Sequence, residues 1–107
     1  MTLAPRKVRG WVHEIRVPLS EGETLGFDSR HDRGDGDIEF NIHSHGGREV
    51  TYHARDARAR VSGALTAPWT GDFYAMWENV SDRAVPVAYE LERAGADAPR
   101  PHGAPGD

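Results

Sequence analysis

The feature that most constrains this chain is a period of two. Trp11, His13, Ile15 and Val17 fall on one side of an extended backbone; Leu25 and Phe27 follow a turn at Ser20, Glu21 and Gly22. Ile38, Phe40 and Ile42 then share a face, with Glu39, Asn41 and His43 on the other. The pattern returns at Val50 and Tyr52, from Val61 to Thr66, at Phe73, Ala75 and Trp77, and at Val85, Val87, Tyr89 and Leu91. Successive side chains of a strand point to opposite faces, so this spacing belongs to half-buried strands and not to helices. Gly, Pro, Asp or Asn punctuates most of the joints. The sequence therefore predicts an all-β chain of roughly seven or eight short strands, an antiparallel two-sheet β-sandwich or jelly roll. The Arg- and Ala-rich stretch from Ala54 to Arg60 fits the pattern least, and reads as a helical turn or a wide loop.

Composition decides whether such strands can bury a core. The chain has 107 residues, enough for one small domain. Only 37% of them are hydrophobic, which favours disorder unless the apolar residues are ordered by period, as they are here. Trp11, Phe27, Phe40, Trp77 and Tyr89 are large enough to fill a thin core that has few aliphatic residues. Beyond residue 93 the period ends, and Pro99, Pro101 and Pro105 interrupt a run of Ala, Gly and Asp. Residues 1–93 are read as the domain and 94–107 as a disordered tail.

The chain contains no cysteine, which excludes disulfides, thiolate metal sites and Cys nucleophiles. Any metal site must be built from the nitrogen and oxygen ligands of its six histidines and its carboxylates. A net charge of -4, without clustered Lys and Arg, argues against nucleic acid as partner. The abundance of Arg, Ala, Gly and Pro is a coding bias of bacterial type. No stretch approaches the roughly 20 apolar residues of a membrane span, and the first residues lack an apolar signal core; a cytoplasmic protein is expected.

The most informative segment runs from Asn41 to His53. In a strand His43 and His45 project to one face, opposite Ile42. A two-residue Gly46-Gly47 loop would pair His43 with Val50 and put Glu49 and His53 on the apolar side. A three-residue loop ending at Arg48 pairs His45 with Glu49, His43 with Thr51 and Ile42 with Tyr52, and keeps both faces consistent. It gives one polar face carrying His43, His45, Glu49 and His53. Imidazole and carboxylate suit Zn, Cu, Ni or Fe(II), and three protein ligands leave a position open for water or substrate. Glu78 or Tyr74 would join from another strand, as an extra ligand or, in an enzyme, as acid/base helper. The bland alternative is a solvated hairpin whose histidines pair with Glu49.

Other candidates are weaker. His13 lies between apolar neighbours and reads as a partly buried or edge histidine, and His102 falls in the tail. His31 stands in a loop whose Asp32, Asp35 and Asp37 suggest calcium, but the spacing and terminal Glu of an EF-hand are missing, so a turn is expected. Ser20, Ser44, Ser62 and Ser81 have no elbow or triad order around them.

The segments 17–28, 36–42, 62–79 and 80–91 resemble, in order, the GOLD domain of the emp24/p24 family. That resemblance implies a β-sandwich that binds a protein partner rather than catalyses. The chain departs from the family by lacking its cysteine pair, signal peptide, coiled coil and membrane anchor, so no secretory role is carried over. The run His43-x-His45-x-x-x-Glu49 also resembles the first cupin motif, and Pro68 to Gly71 followed by Asn79 resembles the second. Tyr74 stands where the second motif would have histidine, and Glu78 has the asparagine spacing. The cupin resemblance implies a metal-dependent enzyme acting on a small molecule, its fourth ligand missing or replaced by His53. A symmetric homodimer could also share ligands between its chains.

Overall fold

Along the segment from Trp11 to Leu19 the odd residues turn inward. Val17 and Leu19 are buried, Trp11, His13 and Ile15 half-buried, and Glu14, Arg16 and Pro18 exposed. The same rule organises the rest of the chain in a computed structural model that describes residues 1–44 and 51–95, with 51–55 as backbone alone. Among the described residues there is no helix. The strands are β1 (Thr2–Leu3), β2 (Val12–Leu19), β3 (Thr24–Arg30), β4 (Ile38–Ser44), β5 (Thr51–Asp56), β6 (Arg60–Thr66), β7 (Gly71–Asn79), β8 (Val85–Pro86) and β9 (Ala88–Ala94). One sheet has the order β2-β7-β4-β5, a second β6-β3-β9, and β1 pairs with β8. Every pairing is antiparallel, which makes the chain the all-β sandwich that its alternation predicts.

The core lies between the two larger sheets. Phe40 and Trp77 on one sheet meet Phe27 and Tyr89 on the other, with ring centroids 5.5 Å apart for Phe27–Phe40 and 4.9 Å for Trp77–Tyr89. Phe40 and Trp77 are themselves 5.1 Å apart. These rings and Phe73, fully buried, supply the volume that the few aliphatic residues leave unfilled. Gly63 has the space over its Cα taken by the Phe27 ring, whose Cζ would lie 3.0 Å from a Cβ placed there.

Two segments differ from the sequence reading. The stretch from Ala54 to Arg60 is neither a helical turn nor a wide loop: β5 continues to Asp56, three residues connect, and β6 begins at Arg60. That short connection is held by the loop before β4, where the Asp35 carboxylate accepts the Ala59 N–H at 2.7 Å and Gly36 N–H donates to the Ala57 carbonyl at 2.7 Å. The run from Val85 to Leu91, continuous in its alternation, is divided at Val87. Its first part pairs with β1 and its second with β3, while Val87 N–H donates to the Met1 carbonyl at 2.7 Å.

Asn79, fully buried at the end of β7, ties these pieces together. Its Nδ2 lies 2.9 Å from the Ala4 carbonyl, 2.8 Å from that of Arg83 and 3.3 Å from that of Leu3. Its Oδ1 accepts the Ser81 N–H at 2.9 Å and the Ser81 hydroxyl at 2.7 Å. A buried amide must find partners, and here it finds them in β1 and in the turn that leads to β8.

Candidate functional site

β4 is a central strand, flanked by β7 and β5, so even its outward-facing residues are partly covered. Glu39, Asn41 and His43 form that outer row, with Asn41 buried and the His43 side chain 15% exposed. Register builds the surrounding face. His43 stands opposite Tyr74 on β7, which stands opposite Arg16 on β2; Asn41, Met76 and Glu14 form the next row, and Glu39, Glu78 and Val12 the one after.

Within this face the His43 ring is fixed on three sides. It stacks on Tyr74, with centroids 5.8 Å apart and planes 20° from parallel. Its Nδ1 lies 2.6 Å from Asn41 Oδ1, a contact between residues two apart on one strand. Its Nε2 lies 3.0 Å from Glu14 Oε2, on a strand two places away. Adjacent strands are about 4.8 Å apart, so the glutamate reaches across β7 to make this contact.

The proton count gives the arrangement its chemical interest. A carboxylate only accepts, and so does an amide oxygen. If Nδ1–H is donated to Asn41 Oδ1, neutral His43 aims a lone pair at Glu14, and the two acceptors need a cation between them: a proton or a metal ion. If the Asn41 amide is turned so that its nitrogen donates to Nδ1, then Nε2–H donates to Glu14 and the ring is satisfied by the protein alone.

Of the residues singled out from sequence, His43 occupies the site and Tyr74 joins it. Glu78 does not, lying four residues from Tyr74 along β7, about 14 Å, and opposite Glu39. His45 and Glu49 lie outside the described residues. His53 is described by its backbone, which pairs with Ile42, while Thr51 pairs with His43. The second pairing is that of the three-residue loop; the first differs from it, because register shifts interrupt the ladder on both sides of Ile42. Among the described residues no group of three or more His, Asp and Glu could hold a metal ion. Glu14 and Asn41 were missed as site residues. Asn41 shares a strand face with His43 and could have been found by period; Glu14 is brought in by the strand order.

The other histidines have other surroundings. His13, on edge strand β2, is half-buried with its ring 5.9 Å from Trp77 and 6.3 Å from Tyr89. His31 sits at the end of the sandwich away from the β4–β5 hairpin, on the wall of a cavity of about 540 Å³ shared with Met1, Arg30, Asp32, Pro86 and Val87. Its Nδ1 accepts the Arg33 N–H at 3.2 Å, and its Nε2 is buried without a hydrogen-bond partner. The loop beyond it turns at Gly34 and Gly36, both with positive φ, and Asp35 serves the Ala59 backbone. The chain matches no protein-family model and no curated protein.

Proposed function

We propose that the protein binds a divalent transition metal on the outer face of its four-stranded sheet, with His43 and Glu14 as two of the ligands and His45 and Glu49 as the source of the others. One observation carries this reading: Nε2 of His43 and Oε2 of Glu14 face each other at 3.0 Å, while Nδ1 of the same ring is engaged by Asn41. Two donors each about 2.1 Å from one tetrahedral ion are separated by roughly 3.4 Å, so a metal could replace the proton between them if the two side chains part by about 0.4 Å. A ring whose second nitrogen donates to a fixed oxygen is the usual state of a histidine ligand, because that contact sets the tautomer and the ring angle. Nitrogen with carboxylate oxygen favours Zn, Cu, Ni or Fe(II) over calcium or magnesium.

Calorimetric titration of the whole chain with zinc and with copper tests the proposal. The wild type is expected to bind one ion, and a His43→Ala/His45→Ala variant with an unchanged circular dichroism spectrum none. Equal stoichiometry in the two, or no binding by the wild type, ends it; the Asn41-turned arrangement then accounts for the site.

A further inference from the structure

A sheet has two edges, and a sandwich must protect four. On β2 the edge carries Glu14, Arg16 and Pro18, and on β9 it carries Glu90, Glu92 and Arg93. On β5 the ladder is irregular. Charges, proline and bulges are the devices that keep an edge from pairing with another chain. β6 carries a single charge, Arg60 at its first residue, and neither proline nor bulge. From Val61 to Thr66 it reads Val-Ser-Gly-Ala-Leu-Thr, and the register of the whole strand with β3 is unbroken over seven pairs.

The hydrogen bonds show which of its groups are free to pair. The Ala59 carbonyl accepts from His31 N–H, and Ala67 N–H donates to the Glu23 carbonyl, so the odd residues between them turn their backbone groups towards β3. The N–H and C=O of Arg60, Ser62, Ala64 and Thr66 accordingly face away from it. All four residues are exposed.

We propose that β6 pairs with β6 of a second copy, antiparallel about a two-fold axis at Gly63, to join the two three-stranded sheets into one of six strands. The strand is self-complementary in this register. Ser62 stands opposite Ala64 of the second copy and Arg60 opposite its Thr66, so every outward group is used and roughly eight inter-chain hydrogen bonds form. The two Arg60 side chains lie at opposite ends of the ladder, far enough apart to avoid repulsion. On the inner side Val61 meets Leu65 of the second copy, extending an apolar layer to which both residues already contribute. A register displaced by two residues in one direction would set Pro68, which lacks an N–H, opposite Arg60, and in the other it would set Thr66 opposite residue 58, before β6 begins. The last twelve residues of the chain are a poor occupant of the edge, since Pro99 and Pro101 remove two donors from one side of any strand they form.

Sedimentation of the full chain over a range of concentrations tests this. The wild type is expected to dimerise. Ala64→Pro, which removes an outward N–H and no bond to β3, is expected to weaken the dimer about tenfold or more with the same circular dichroism spectrum and melting temperature. A wild type that stays monomeric at high concentration overturns the proposal, whether or not its edge takes up a strand from another protein, and so does a dimer that Ala64→Pro leaves unchanged. Register has its own readout, because the native chain has no cysteine. Mixed Ser62→Cys and Ala64→Cys chains should form the heterodisulfide, with Cα atoms about 5.5 Å apart. Neither homodisulfide should form, since those pairs are separated by about 8 Å, beyond the reach of a disulfide. Homodisulfides in place of the heterodisulfide overturn the two-fold at Gly63.

Discussion

The indole N–H of Trp77 donates to the Ser29 hydroxyl at 2.9 Å across the interior of the sandwich, joining β7 of one sheet to β3 of the other. Trp77 has no exposed surface and Ser29 is 5% exposed, so neither group has water as a substitute partner. Ser29→Ala is therefore expected to cost about 1–3 kcal/mol, the cost of leaving a buried donor unmade. Trp77→Phe loses volume as well as the donor and should cost more. The double variant should be less destabilised than the sum of the two by about 1 kcal/mol, because the second change removes a group already orphaned. Urea unfolding of the four proteins measures this; strict additivity would mean that the hydrogen bond adds nothing beyond packing.

Asn79 is expected to tolerate substitution poorly for a different reason. Its amide is both donor and acceptor, and the three carbonyls around Nδ2 accept only. Asn79→Asp keeps the shape and replaces the donor by a buried charge facing those carbonyls. A loss of about 3 kcal/mol or more follows, with faster amide exchange in β1 and in the turn before β8. Asn79→Ala, which leaves the same carbonyls without a donor and adds no charge, should lose less. Equal losses in the two variants would show that the amide's donors, and not the charge, set the cost.

The strands were legible because burial acts on each one locally. From Trp11 to Leu19 the inward residues are marked by their own spacing, whichever strand lies alongside. What depends on the neighbour was not marked. The alternation of Val85, Val87, Tyr89 and Leu91 continues through the point where the chain leaves β1 for β3, since both partners leave the same side of it facing inward. The irregular ladder around Ile42 is invisible for a similar reason: polar residues on both sides of a hairpin do not reveal an extra residue. Glu14 reads as one more outward residue of an edge strand until the order β2-β7-β4 sets it within reach of His43.

The loop before β4 contains three aspartates, Asp32, Asp35 and Asp37, and Asp35 among them caps the Ala59 N–H at 2.7 Å. Asp35→Asn retains an acceptor in the same place and should change stability by less than about 0.5 kcal/mol. Asp35→Ala loses it and should cost about 1 kcal/mol. Millimolar calcium should leave the melting temperature of all three proteins unchanged. A calcium-dependent rise confined to the wild type would instead make Asp35 a ligand.

Glu14 separates a metal ligand from a surface ion-pair partner, because the two roles make opposite demands on Glu14→Gln. The carboxylate side chain is 36% exposed, and a pair in that setting contributes at most about 1 kcal/mol. The amide of glutamine can still take part in a hydrogen bond with His43, so without metal the variant should unfold within about 1 kcal/mol of the wild type. With metal the loss is specific. Glutamine lacks the negative charge that binds a transition metal, so affinity for zinc should fall by about tenfold to a hundredfold. An ion that binds only the folded chain stabilises it by about 2.7 kcal/mol at a hundred times its dissociation constant. At a zinc concentration chosen to give that stabilisation in the wild type, about half of it should disappear in Glu14→Gln for a tenfold loss of affinity and most of it for a hundredfold loss, and all of it in His43→Ala. Equal stabilisation of wild type and Glu14→Gln would remove Glu14 from the ligand set and leave any metal to His43, His45 and Glu49.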